Sequence, residues 1–340
     1  VTHFKRSDWI DFSKKDVCLS FMDIHAKTSR PFRVGFMLID GFSLMTYASA
    51  VEPLRAANVL AGREIYDVRQ VPVLSAQASS SSKATISADA QIGEQVDFDL
   101  VVVVAGDEAF EFAQEGAFHW LRNLARRGVA LGGVSGGAVV LARAGLLKGR
   151  SVAVHWEYSQ ALAEILPDLQ QERILYVMED DRMTCAGGVA PMDMMHALIE
   201  KQHGAQFARS VSDWFLHTQV RASEGPQRAG LAERYGTKNS TIVSAIALME
   251  DNLAEPVSLQ VLAKSAGVGV RQLNRLFSTH LGSTTMELYR RLRLDKAKIL
   301  LEQTTLPITE IGLATGFAGS AHFSRSYRNR YGCAPSAHRN

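Results

Sequence analysis

Cysteine is scarce in this chain of 340 residues: only Cys18, Cys185 and Cys333 occur, and no two of them form a C-x-x-C pair. Neither a disulfide framework nor a thiolate zinc site is indicated, which fits a reducing compartment. Long apolar runs are missing as well. None approaches the ~20 residues that a membrane-crossing helix requires, and the N-terminal VTHFKRSDWIDFSKKDVC has no apolar core of a signal peptide. The expectation is a cytoplasmic protein with no membrane partner, no metal and no cofactor. An excess of one charge is also lacking overall, since the formal net charge is +2.

What is present is unevenly placed. Residues 1–215 carry 21 Lys and Arg against 26 Asp and Glu, whereas residues 216–340 carry 16 against 9. The basic excess belongs to the C-terminal third and points to a polyanionic partner, with spare surface lysines as the plainer alternative. The length allows two or three domains. Residues 1–30 show little periodicity and read as an N-terminal extension, partly helical.

From Arg33 onward apolar runs alternate with helical patterns. RVGFMLIDGF is a buried strand stopped at Asp40-Gly41, and SLMTYASAVEPLRAANVLAG is a helix ending at Gly62. After the strand YDVRQVPVLS comes a polar loop, AQASSSSKA. DFDLVVVVAG is a central parallel strand covered on both faces. The helix FHWLRNLARRG, the strand VALGGVS and the helix GGAVVLARAGLL follow. SVAVHWEY and RILYVMEDDRMTCAGG read as later strands, and APMDMMHALIEKQHG as a closing helix. This alternation predicts a doubly wound α/β domain over residues 31–215, with its ligand crevice beyond the carboxyl ends of the strands. The turns due to meet there are Asp40-Gly41-Phe42, Ala105-Gly106-Asp107, Val134-Ser135-Gly136 and His155-Trp156-Glu157.

Gly133-Val134-Ser135-Gly136-Gly137 satisfies the G-x-S-x-G pattern of a nucleophile elbow. A reactive serine requires a histidine base and a carboxylate within reach. His155, Asp181, Asp193 and His196 follow it, but their spacing singles out no triad. Ser135 is therefore either a ligand-contacting or structural elbow residue, or a nucleophile. Asp193 reads as a structural polar group near a helix start.

The string from Gly133 to Trp156, with Leu141-Ala142-Arg143-Ala144-Gly145-Leu146-Leu147 and His155-Trp156, resembles the PfpI-type, class I glutamine amidotransferase-like domains. It looks most like those fused to AraC-type DNA-binding domains in bacterial regulators. Enzymes of that superfamily carry cysteine where this chain has Ser135, and the position of their first-helix acid falls near Thr46. Both departures imply a domain without catalysis. The resemblance implies a small-metabolite sensor, with Phe42, Gly106, Asp107, Ser135, Gly136, His155, Trp156 and Glu157 as candidate ligand residues. Relatives with this domain pair are associated with the catabolism of amino acids and quaternary amines, and Phe42, Trp156 and Glu157 would suit a cage for a cationic amine.

Residues 216–238 have linker composition, with Gly225-Pro226 and Gly230. Beyond them the chain repeats itself. LNRLFSTHLG at 273–282 aligns with FSRSYRNRYG at 323–332, which pairs Leu273 with Phe323, Arg275 with Arg325, Phe277 with Tyr327 and Gly282 with Gly332 at an offset of 50. Gly267 pairs with Gly316 at 49, so one residue is added within the second turn. Each copy reads as a helix-turn-helix with a small residue, Ala263 or Gly312, where the helices cross.

Two such copies joined by MELYRRLRLDKAKILLEQ make residues 239–340 resemble the AraC/XylS-type DNA-binding domain. The ending Gly332-Cys333-Ala334-Pro335-Ser336 with Arg339 also resembles that family. Periodicity leaves Arg271, Gln272, Asn274 and Arg275 outward in one helix, and Ser320, His322, Ser324 and Arg325 in the other. The resemblance places Arg271, Asn274, Arg275, Ser320, Ala321, His322 and Arg325 in the major groove, where Arg pairs with guanine and Asn with adenine. Arg290, Arg291 and Arg293 read as structural or backbone contacts. The function implied is a transcription activator that binds double-stranded promoter DNA as a homodimer, responds to a small-molecule inducer and contacts RNA polymerase.

Overall fold

The computed structural model describes residues 30–339, so the expectation for the N-terminal extension lies outside the described residues. Successive side chains of a strand point to opposite faces, and the central strands use both. Strand β1 (Phe32–Leu38) sends Val34, Phe36 and Leu38 into one apolar cluster and Met37 into another. Strand β5 (Leu100–Ala105), buried at every position, divides Leu100, Val102 and Val104 from Val101, Val103 and Ala105 in the same way. A sheet buried on both faces demands helices on both sides.

The sheet order is β2-β1-β5-β6-β10-β9, with β2 at Tyr66–Pro72, β6 at Ala130–Ser135, β9 at Tyr176–Met178 and β10 at Arg182–Cys185. All neighbours pair parallel except β9, which runs antiparallel to β10. Helix α1 (Leu44–Ala61) covers one face together with α5 (Ala190–His203) and α6 (Ala205–Trp214). Helices α2 (Glu115–Arg126), α3 (Gly137–Arg143) and α4 (Trp156–Ile165) cover the other. Ser43 caps α1, and Gly62 closes it in the left-handed region at φ 63°, as its sequence position requires.

Two stretches differ from their sequence reading. AQASSSSKA is not an open loop: β3 (Gln77–Ser79) and β4 (Thr85–Ser87) pair as a small hairpin. Nor does SVAVHWEY run on as one strand. β7 (Ser151–Ala153) pairs with β8 (Gln170–Glu172) outside the main sheet, and from Trp156 the chain is helical. Tyr158, Ala161 and Leu162 then fall at helical spacing and are buried, which a strand would have divided between two faces.

Residues 216–238 hold one short helix, α7 (Leu231–Arg234), and are laid against the α/β part. Asp193 of α5, fully buried, accepts from Arg221 N, Nε and Nη2 at 2.9, 2.9 and 2.6 Å and lies 2.8 Å from His217 Nε2. A buried carboxylate is tolerable only with such a complete set of partners. Gln227 Nε2 donates to the carbonyls of Val154 and Ile174 at 2.9 and 2.6 Å.

The helical part comprises α8 (Ser240–Asp251), α9 (Leu259–Ser265), α10 (Val270–Leu281), α11 (Thr285–Gln303), α12 (Ile308–Ala314) and α13 (Ser320–Tyr331). Thr284 and Glu287 form a capping box that starts α11.

Candidate functional site

Four strand ends meet at one place. A side chain at Gly106 would stand 2.3 Å from the Gly41 carbonyl oxygen, and one at Gly136 would stand 2.3 Å from that of Gly106. Only glycine permits backbones this close. Ser135 sits at φ 53° between β6 and α3, an uncommon conformation for a non-glycine residue and the one an elbow imposes. After β10, Gly187 comes up against the Ser135 side chain, and Gly188 N donates to Thr46 Oγ1 at 2.9 Å. Thr46 thus stands near the place that the resemblance assigns to an acid in enzymes, and it is spent on holding a loop.

Ser135 is nearly buried, and among the described residues no hydrogen bond joins it to a histidine. Its polar neighbour is Tyr158, a residue absent from the sequence expectation, whose hydroxyl donates to Asp107 Oδ1 at 2.7 Å. Burial, and then the bond to Asp107, push this phenol upward, with the Ser135 hydroxyl acting in the opposite sense.

The His155 ring lies 5.3 Å from the rings of both Trp156 and Tyr158. Burial lowers its pKa, assisted by Arg228 and opposed by Asp107, and its Nδ1 lies 3.7 Å from Glu157 Oε2. The Glu157 carboxyl is raised by burial, then by Asp107 and by Glu302 of α11. An imidazole with a lowered pKa and a carboxyl with a raised one thus lie beside the Tyr158–Asp107 pair. Tyr158, Asp107, His155 and Glu157 bring polar groups together beside the elbow serine.

Gly106, Asp107, Ser135, Gly136, His155 and Glu157 therefore gather as the sequence proposed, while the two aromatic residues do not. Phe42 is fully buried on the other side of the sheet, with its ring 5.6 Å from that of Tyr47. Trp156 is partly exposed, and the Arg228 guanidinium occupies its face, with Cζ 4.1 Å from the ring centre. A cage built from Phe42 and Trp156 is not formed.

Next to the elbow, sharing Asp107, lies an open cleft of about 470 Å³ lined by Asp40, Gly41, Ser79, Lys83 and Glu108 among others. Asp40 fixes its floor by accepting from Ser79 N at 2.7 Å. The β3–β4 hairpin supplies the outer wall. Its serines satisfy tight backbone turns, which an open loop uses as readily as a hairpin.

At the other end of the chain, residues 271–280 and 321–330 show one and the same burial pattern, in which Leu273 and Phe277 match Phe323 and Tyr327. Arg271, Gln272 and Arg275 are exposed on α10, as are Ser320, Ala321, His322 and Arg325 on α13. Asn274 differs from the expectation. It is half-buried, and its Oδ1 accepts from Thr285 N at 3.3 Å, which ties α10 to the start of α11. Arg293, expected to be structural, donates to the carbonyls of Thr315 and Gly316 at 2.7 and 2.6 Å and lies over Phe317, so it braces the second turn.

The DJ-1/PfpI family model matches residues 32–201, and a helix-turn-helix domain model matches residues 262–340. Over 304 residues the chain is 42% identical to the HTH-type transcriptional regulator GlxA of Rhizobium meliloti, covering 89% of this chain and 94% of that one. The chain belongs to the HTH-type transcriptional regulators with a DJ-1/PfpI domain. Two further relatives are similar over nearly the same span. The regulator CdhR of Pseudomonas aeruginosa is 41% identical, with 89% of this chain and 90% of that one covered. The regulator GbdR of the same species is 38% identical, with 90% and 83% covered.

Membership of this family makes the chain a DNA-binding transcriptional regulator of AraC type. Its helical part is the DNA-binding end, and its mostly parallel sheet carries the DJ-1/PfpI fold. Among the described residues no helix is long and apolar enough to cross a membrane, and no group of three or more His, Cys, Asp or Glu is placed to hold a metal.

Proposed function

We propose that residues 31–215 sense a small metabolite at the strand ends, that residues 216–238 are the linker, and that residues 239–340 read promoter DNA sequence-specifically through α10 and α13. The observation that carries the DNA half is the identical burial of α10 and α13 beneath exposed Arg271, Gln272 and Arg275 on one and His322 and Arg325 on the other. Two such helices on a stiff connector suit successive major grooves on one face of a duplex.

The ligand seat is Ser135 with Gly136, Asp107, His155, Glu157 and Tyr158, next to the serine-walled cleft. A polar metabolite with a hydrogen-bonding group for the Tyr158–Asp107 pair suits it. Ser135 takes a contacting part and not a catalytic one. The regulator works as a homodimeric activator in the cytoplasm, with an inducer and RNA polymerase as its other partners.

Sequencing the DNA that the full chain enriches from random duplexes tests the first half. Paired half-sites about one helical turn apart are expected, and enrichment without a common sequence would refute it. The strained elbow at Ser135 supports a second reading, hydrolysis. Turnover of simple esters or amides that vanishes in Ser135→Ala would establish that reading in place of ligand sensing.

A further inference from the structure

The two helix-turn-helix motifs match in shape but not in support. The first closes on itself: Leu262, Leu273 and Phe277 share one cluster with Ile246 of α8 and with Leu288 and Tyr289 from the first half of α11. The second does not. Ile311, Phe323 and Tyr327, with Ala297 and Leu300 from the other half of α11, belong to the cluster that also contains Tyr158, Ala161 and Leu162 of α4.

Helix α4 packs along α11, and so does the 3-10 turn Asp107–Phe110. Lys296 Nζ on α11 lies 3.9 Å from Glu164 Oε1 on α4, and its side chain is only 13% exposed. The head of α4 carries Trp156 and Glu157, with His155 as its N-cap residue, and in the same turn Tyr158 reaches Asp107 at the strand ends. One helix therefore touches the proposed ligand seat with its first turn and the helix between the two motifs with its flank. Around the first motif, α8 meets the α/β part directly through the exposed pair Arg173–Asp251 at 3.7 Å, which solvent screens. It otherwise does so by way of residues 216–238, where Arg234 Nη2 lies 2.7 Å from Glu250 Oε1 and Leu231 and Tyr235 pack on the first core.

We infer that α4 is the element through which the strand-end site sets the position of the second helix-turn-helix, while the first is held by its own core and engages DNA independently of that site. This rests on the sensing role proposed above. Packed interfaces shift between discrete arrangements and do not bend continuously. A displacement of α4 by a ligand at Tyr158 and Asp107 is thus delivered to α11 and the α12–α13 pair, and leaves the α8–α10 core as it was.

The experiment uses the full chain on DNA that it has itself enriched, with a hydroxyl-radical footprint titrated separately at each half-site. Lys296→Glu sets two carboxylates against each other at a mostly buried contact. It is expected to shift affinity at the second half-site by about 5-fold or more, the lower end of allosteric couplings, and to leave the first unchanged. Glu164→Lys, made from the opposite side, gives the same selective shift, and the exchanged pair Lys296→Glu with Glu164→Lys restores the parent pattern. Tyr158→Phe keeps the ring but removes its bond to Asp107, and it also moves the second half-site alone.

Equal shifts at both half-sites, or no shift in any of these variants, overturn the inference. So does a selective loss that the charge exchange fails to reverse. Should Lys296→Glu not fold, Glu164→Lys and Tyr158→Phe decide the matter. A chain that enriches no DNA fails the proposed function, whereas paired half-sites that always move together fail only the coupling through α4.

Discussion

Helices α10 and α13 bury the same positions 50 residues apart, begin after Gly269 and Gly319, and end at Gly282 and Gly332 in the left-handed region. Their surroundings nonetheless differ. Phe277 rests in a core whose buried residues all come from the helical part, edged by Leu231 and Tyr235, and Phe323 in one continuous with the α/β part. A repeated sequence specifies a unit because local spacing fixes which face is apolar. What that face leans on is decided by elements far away in the chain.

Removing the ring from each core sharpens this contrast most. Phe277→Ala and Phe323→Ala should each cost about 3–5 kcal/mol. Trp120, Trp156 and Trp214 lie in the α/β part and no tryptophan in the helical part, so the change in their indole emission reports the α/β part and far-ultraviolet dichroism the whole. In urea, Phe323→Ala should lower both transitions, and Phe277→Ala mainly the dichroic one. Identical behaviour of the two variants would break the comparison.

Next come the exposed arginines. Arg275→Ala and Arg325→Ala should each weaken binding to the enriched DNA by about 1–3 kcal/mol and relax base preference at different half-sites. Fluorescence anisotropy on the parent site and on single-base variants measures both effects. Parent-like affinity in both mutants would remove α10 and α13 from the grooves.

A smaller effect separates Asn274 from its counterpart Ser324. Asn274→Ala deprives Thr285 N of its acceptor and should cost about 1 kcal/mol on melting with base preference intact. Ser324→Ala should stay within about 0.5 kcal/mol. A change in base preference on Asn274→Ala would return this residue to the groove.

The smallest effect concerns acid. Burial lowers the pKa of His155, His196 and His203, all in the α/β part. A histidine held neutral by the fold binds its proton more readily once unfolded. The stability it contributes is present above the ordinary value near 6.5 and is lost as pH falls through it toward the lower folded value. The indole-detected melting temperature should therefore drop between about pH 7.5 and about pH 5.5, where unperturbed histidines titrate. His155→Gln should show less of that drop, and a flat profile in the parent would contradict the assigned shifts.

Much of the architecture was legible because its signals are local. The four valines of β5, the elbow glycines and the cap at Gly62 each lie within a dozen residues, and each copy of the repeated motif shows its pattern over ten. The hairpin β3–β4 was not legible, since its serines satisfy a loop as well as a short ladder. The helix beginning at Trp156 was missed because an apolar run after β7 fits either period until its neighbours are known. Tyr158 escaped notice for the same reason, and Phe42, correctly placed after a strand, turned its ring to the opposite side of the sheet.

Sequence alone determined the order of the two parts, the apolar faces of α10 and α13 and the turn that places Ser135, because hydrophobic period and glycine's backbone freedom act over a few residues. Tertiary structure decided that Arg228 covers Trp156, that Asp193 fastens the start of the segment 216–238, and that α4 lies on α11. Those contacts join residues 28 to more than 100 positions apart, and their existence depends on which desolvated charges and apolar faces remain to be matched once every local rule has been satisfied.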